Sequence, residues 1–199
     1  MSNDPAPDNT LSTRLDAVCA DGWSIWERFD TTVRERAFHP FIAADYDVVR
    51  AALESLPVKR GRFLEWGSAS GVITVMADMV GFEAYGIELD ASLVKTAREF
   101  ATRHQSQARF AAGSYLPTGY RWRAAGKGGR DTDKTGDGPS GYLQLGLALD
   151  DFDVVFGYPW GGEAAMMQDL MQQYGNPDAI LLLNDTNEGV KAYRRGRPI

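Results

Sequence analysis

Between residues 62 and 183 the chain alternates short, continuously apolar runs with longer stretches that are apolar on one face only. The short runs fall at 62–66, 84–89, 109–112, 153–157 and 179–183. They lack the every-other-residue rhythm of a half-exposed strand, which marks strands covered on both faces. Between them, 72–80 is apolar and closes at Gly81, and Leu93, Ala97, Phe100 and Ala101 recur at helical spacing. Ala164, Met167, Leu170, Met171 and Tyr174 line one face of a further helix that ends at Gly175. Glycine suits a helix C-terminus because it enters the left-handed conformation at little cost. Strands alternating with crossover helices predict an α/β fold built on a doubly wound, mostly parallel sheet.

The ends of the chain read differently. Residues 1–10 are polar, and the whole of 1–20 is expected to be a disordered or loosely ordered tail. Trp23, Trp26 and Phe29 open an apolar helical stripe, and Pro40 breaks any helix that runs into it. Ile42, Tyr46, Val49, Leu53 and Leu56 then predict an amphipathic helix over about 43–56, which Pro57 ends. Residues 21–57 thus form an N-terminal helical extension, expected to act as a lid over a core of 58–199. Helical aromatic stripes are more often core than pocket roof, so Trp23, Trp26 and Tyr46 read first as packing residues. Within the core, 124–141 holds six glycines and six charges that cancel, and is expected to be a mobile loop. After the fifth strand only 187–199 remain. Gly189–Arg195 has room for one strand or one short helix, so the sheet is expected to lack its last strands and stay open at one edge. Exposed edges are usually covered or paired, and a second copy of the chain, a homodimer, is the expected cover.

Composition narrows the partners. With 27 acidic and 21 basic residues the formal net charge is -6, which argues against nucleic acid as a partner. No apolar run is long enough to span a bilayer, and the polar start lacks a secretory signal. A cytoplasmic, reduced setting is expected. The single cysteine, Cys19, excludes an internal disulfide, and two distant histidines without HExxH or CxxC spacing give no reason to expect a metal site.

The candidate chemistry lies at 63–90. In Phe63-Leu64-Glu65-Trp66-Gly67-Ser68-Ala69-Ser70-Gly71 an apolar strand ends in an acid, turns through small residues and opens a helix. Small residues let a ligand approach the backbone, and the helix start presents free N–H groups. Glu88 stands 21 residues after Gly67 at the end of the second strand, where an acid accepts hydrogen bonds from a ribose diol. A dinucleotide such as NAD or FAD would place its pyrophosphate on this turn, and Glu65 would repel it.

On these residues the chain resembles the class I S-adenosylmethionine-dependent methyltransferases, with their Rossmann-like fold. Their first motif runs acid-x-Gly-x-Gly-x-Gly; EWGSASG matches at Glu65, Gly67 and Gly71, with Ala69 in place of the middle glycine. The resemblance implies that Glu65 lies near the methionine part of the cofactor and that Glu88 binds its ribose. It implies a cradle for S-adenosylmethionine built from Glu65, Gly67, Ser68, Ala69, Gly71, Glu88, Leu89, Ser114 and Tyr115. Many relatives carry an adenine-binding acid where this chain has Ser114, whose hydroxyl either meets adenine or starts a turn.

After the fourth strand, Gly157-Tyr158-Pro159-Trp160 resembles the [Asp/Asn/Ser]-Pro-Pro-aromatic loop of amino-methyltransferases. Gly157 lacks the polar side chain and Tyr158 replaces the first proline. Tyr158 and Trp160 are the candidate catalytic residues, with His39 as a candidate general base in the lid. Asn184 to Glu188 after the fifth strand reads as a cap for a following helix, and His104 as an exposed cation at a helix end. The expected activity is methyl transfer to a small molecule. The alternatives are a cofactor-binding protein without catalysis, and a nucleic-acid or protein methyltransferase guided by Arg121, Arg123, Arg194, Arg195 and Arg197.

Overall fold

The continuously apolar runs become the centre of the sheet. In a computed structural model, which describes residues 10–34, 41–58, 60–122, 138–160 and 162–199, seven strands lie in the order β3-β2-β1-β4-β5-β6-β7. The strands are β1 (Arg62–Trp66), β2 (Glu83–Glu88), β3 (Arg109–Ala112), β4 (Val154–Gly157), β5 (Ile180–Asp185), β6 (Gly189–Arg194) and β7 (Arg197–Pro198). The first five are parallel, with Leu64 opposite Tyr85 and Val155, and Val155 opposite Leu181. Both faces are covered, as the lack of alternation implies. α1 (Leu11–Phe29), α2 (Tyr46–Ser55), α3 (Val72–Met79) and α4 (Ala91–Arg103) pack on the face that carries Phe63, Phe156 and Leu182. α5 (Tyr142–Leu145) and α6 (Ala164–Tyr174) pack on the face that carries Leu64, Val155 and Leu181.

The tail is shorter than its composition suggests. α1 starts at Leu11, capped by the Thr10 hydroxyl, which accepts the Thr13 N–H at 3.3 Å. Leu15, Val18, Cys19 and Gly22 form its buried stripe, set against α3, so 11–20 is ordered by packing that polar neighbours hide in the sequence. A Cβ at Gly22 would come within 2.8 Å of Val72, so glycine lets the two helices cross closely. Nor is His104 a free cation: it caps α4 and pairs with Asp21 of α1 at 2.9 Å, with its side chain only 13% exposed. Burial raises the Asp21 carboxyl, and the hydrogen bonds from His104 and Arg103 outweigh it and hold the group below its ordinary value.

The sheet is also more complete than the residue count suggests. β6 pairs antiparallel with β5 and β7 with β6, so the edge expected to stay open is paired from within the chain. Arg195 and Gly196, at φ +52° and +71°, make a two-residue turn that needs no helix between the strands. The reason for invoking a second copy therefore falls away. At the other end of this hairpin, Asp185 accepts the N–H groups of Asn187 and Glu188 at 2.8 and 3.1 Å and caps the turn into β6, not a helix. No helix among the described residues is long and apolar enough to cross a membrane.

Candidate functional site

Ligands of open α/β sheets bind beyond the carboxyl ends of the strands, and the crevice lies there, where β1 turns into α3. Gly67 takes φ +68°, and the N–H groups of Gly67 and Ser68 donate to the Ile87 carbonyl of β2 at 2.9 and 3.0 Å. A Cβ at Gly67 would enter open space, so its absence keeps the floor clear. Gly71 caps α3 at φ +81°, where a Cβ would sit 2.7 Å from Phe110 and 2.8 Å from Ala97. Ala69 stands at φ +44°, a left-handed conformation that costs an L-residue roughly 1–2 kcal/mol. Ala69→Gly removes that cost and adds some unfolded-state entropy. The expected net gain is about 0.5–1 kcal/mol, a Tm higher by roughly 1–4 °C. Scanning calorimetry showing an unchanged or lower Tm would refute it.

Glu65 is 5% exposed and accepts the Thr74 N–H at 2.9 Å and the Thr74 hydroxyl. Burial pushes its carboxyl up to about 8, against the lowering effect of the Thr74 bonds, and the neighbouring Glu88 adds to the rise. An acid so placed is largely uncharged at neutral pH, and a cation beside it would favour its ionised form. Thr74 is not among the residues expected at the site; its signal is a single polar residue in the apolar start of 72–80.

Glu88 ends β2 half-buried, with one oxygen accepting the Ala69 N–H at 2.9 Å and the other the Asp90 N–H at 2.8 Å. Burial raises its carboxyl, opposed by these backbone bonds. Each oxygen keeps a second lone pair for a ligand. Glu88 thus ties the glycine turn to the end of β2, at the edge of the cleft and not among the residues that line it.

The cleft encloses about 40 Å³ and brings Glu65, Gly67, Ser68, Ala69 and Tyr158 together. Phe41, Tyr46 and Phe156 complete its apolar wall, and none of these three is among the cofactor contacts expected from the sequence. Ser68 and Ser70 belong to the cleft lining, but their hydroxyls are buried without a hydrogen-bond partner, and that of Ser68 lies under the turn, 2.6 Å from where a Cβ at Gly86 would sit.

Other expected residues fall elsewhere. Leu89 is 42% exposed beside Gly138. Ser114 starts a turn: its hydroxyl accepts the Leu116 N–H at 3.1 Å, and its backbone pairs with Pro139 and Gly141. The strand-like bridge from Ser114 to Ser140 lays 138–141, the end of the glycine-rich stretch, across the ends of β2 and β3; the rest of that stretch, 123–137, lies outside the described residues. Tyr115 is not brought to the cleft; its ring stacks on Trp66 at 5.5 Å, on the α5–α6 side. Trp160 is 49% exposed, its backbone N–H donates to Glu163 at 3.1 Å, and it is not among the residues that line the cleft. His39 lies outside the described residues. A Cβ at Gly157 would meet the Met167 sulfur at 2.7 Å, so close packing of α6 explains the missing side chain there. Among the described residues, no three histidine, cysteine or acidic side chains gather as a metal site.

No protein-family model matches the sequence, and no curated protein matches it. Solved structures do resemble it. The precorrin-6y C5,15-methyltransferase of Geobacter metallireducens GS-15 aligns with TM-score 0.50 and 15% identity, over 77% of this chain and 68% of that one. An RNA methyltransferase of Salinibacter ruber, in complex with S-adenosyl-L-homocysteine, aligns with TM-score 0.52 and 17% identity, over 71% of this chain and 76% of that one. At such identities the likeness speaks for architecture alone. The chain therefore has the fold of the class I S-adenosylmethionine-dependent methyltransferases.

Proposed function

We propose that the protein is an S-adenosylmethionine-dependent methyltransferase acting on a small molecule. One observation carries this reading. Glu65 and Glu88, ending adjacent strands, flank a glycine turn, and no described lysine or arginine lines the cleft. A dinucleotide pyrophosphate would find no basic side chain there and would oppose ionisation of both acids, whereas a sulfonium nucleoside with an ammonium group favours their ionised, complementary form. The residues fit such a group: Gly67 leaves the space that a Cβ would fill, beside the buried carboxyl of Glu65.

When bound, the cofactor supplies a methyl group activated by its sulfonium. Glu88 orients the ribose, Glu65 faces the cationic end, and the wall of Phe41, Tyr46, Phe156 and Tyr158 excludes water. Holding donor and acceptor in line in a dry pocket supplies much of the acceleration in such reactions, so no covalent nucleophile is required. The choice of a small molecule over nucleic acid rests on charge placement. Because β6 runs antiparallel to β5, Arg194, Arg195 and Arg197 sit at the amino ends of the parallel strands, across the sheet from the cleft.

Calorimetry tests the cofactor first: S-adenosylmethionine and S-adenosylhomocysteine are expected to bind in the micromolar range. If neither binds below millimolar, the reading fails. A screen of labelled methyl transfer to small molecules then separates an enzyme from a binding protein.

A further inference from the structure

The wall of the cleft and the charges at its mouth together describe what lies beside the cofactor. Phe41, Tyr46, Phe156 and Tyr158 line the cleft with Glu65, and Trp23 of α1 meets Tyr46 at a tilt, with ring centroids 4.8 Å apart. Phe29 in turn meets Phe41 edge-on at 5.1 Å. Aromatic walls of this kind favour flat rings and, through the negative faces of their π systems, cations.

Among the described residues, Glu88, Asp90, Glu163, Asp185 and Glu188 gather at the carboxyl ends of the strands, and Lys191 there is paired with Glu188. The amino ends carry both signs: Arg62 pairs with Glu83 and Asp151, Arg109 with Glu83, and Arg195 with Asp178. The Asp185 carboxylate is held below its ordinary value by the Asn187 and Glu188 N–H groups, and the register that sets Gly157 of β4 opposite Leu183 of β5 brings it near Tyr158, whose hydroxyl is pushed up by burial and by this charge.

Building on the proposed cofactor site, we infer that the methyl acceptor is a small aromatic molecule carrying a positive charge and no carboxylate or phosphate, with its ring against Tyr46 and Tyr158 and its charge toward Asp185. A cation gains from the acidic mouth and the aromatic faces together. An anion of the same shape meets a repulsive field with no described lysine or arginine in the cleft to answer it.

The test uses the full chain saturated with S-adenosylhomocysteine and two probes that share an indole ring, tryptamine and indole-3-acetate. Tryptamine is expected to bind at least tenfold more tightly. Raising sodium chloride from about 50 to 500 mM should weaken it several-fold, because the attraction is partly screened. Tyr158→Leu should weaken tryptamine at least fivefold, and Asp185→Asn should narrow the preference for it. Equal affinity for the two probes, preference for the carboxylate, or binding of neither probe would overturn the inference and leave the cofactor reading standing. Failure of S-adenosylhomocysteine itself to bind would remove the cofactor reading and this inference with it.

Discussion

Replacing Glu88 with alanine is expected to weaken S-adenosylmethionine binding by 100-fold or more. The carboxylate is already aimed: one oxygen holds the Ala69 N–H and the other the Asp90 N–H, and a lone pair on each remains for the ribose diol. Hydrogen bonds to a charged group contribute about 1.5–3 kcal/mol each. Loss of two therefore corresponds to at least a 100-fold rise in Kd. Alanine also releases the Ala69 N–H, which helps to hold that residue at its left-handed φ of +44°, so part of the effect is a loosened turn. Glu88→Gln separates the two contributions. Its amide oxygen still accepts one backbone N–H, but it carries no charge and places a donor where an acceptor is needed. It should bind about tenfold more weakly than the natural protein while melting within about 2 °C of it, because it changes the ligand contact more than the turn. Equal cofactor affinity in all three proteins, measured by calorimetry, would remove Glu88 from the site.

The parts of this architecture legible in the sequence are those with a local cause. The parallel strands announce themselves because strands covered on both faces must be apolar throughout, as in 62–66 and 179–183. The turn announces itself because Gly67 and Gly71 are needed where a ligand and a neighbouring helix come close. The features that are hidden depend on distant partners. The first turns of α1 look like tail until Leu15, Val18 and Cys19 find α3. The β6–β7 hairpin looks too short until two residues of positive φ turn it. Ser114 and Tyr115 look like ligand contacts because they follow a strand. Only the return of 138–141 shows that one is tied into a bridge and the other turned to the opposite face. The aromatic wall is half-legible: Tyr46 reads as core from its helical spacing, and it is both buried and part of the cleft.

Glu65→Gln is expected to make the empty protein more stable at pH 8 and a poorer binder of the cofactor, and the two results come from one cause. Burial raises the Glu65 carboxyl from an ordinary value of 4.5 to about 8. A folded-state value above the unfolded one means that the contribution of the acid to stability is full below about 4.5 and is lost as pH rises through about 8. At pH 8 the natural protein therefore carries the cost of a buried, partly ionised carboxyl, held in place by its bonds to Thr74. Glutamine keeps an acceptor for the Thr74 N–H and cannot ionise. A tenfold change in proton affinity between the unfolded and folded protein corresponds to about 1.4 kcal/mol. Relaxation around the site will absorb part of the total, so a gain of about 2 kcal/mol, or roughly 4–8 °C in Tm, is the expected difference at pH 8. At pH 5 the two proteins should melt within about 2 °C of each other. Binding should move the opposite way. A cationic cofactor favours the ionised acid, so near pH 7 the natural protein should release up to one proton on binding, and its affinity should rise towards pH 8 and then level off. The variant should release none and bind at least tenfold more weakly at pH 8. Proton release is read directly, as a dependence of the calorimetric enthalpy on the ionisation enthalpy of the buffer. Identical enthalpies in phosphate and Tris for the natural protein, or undiminished affinity in the variant, would show that Glu65 does not face the cofactor's positive charge. The natural residue would then be a stability cost without a ligand to explain it.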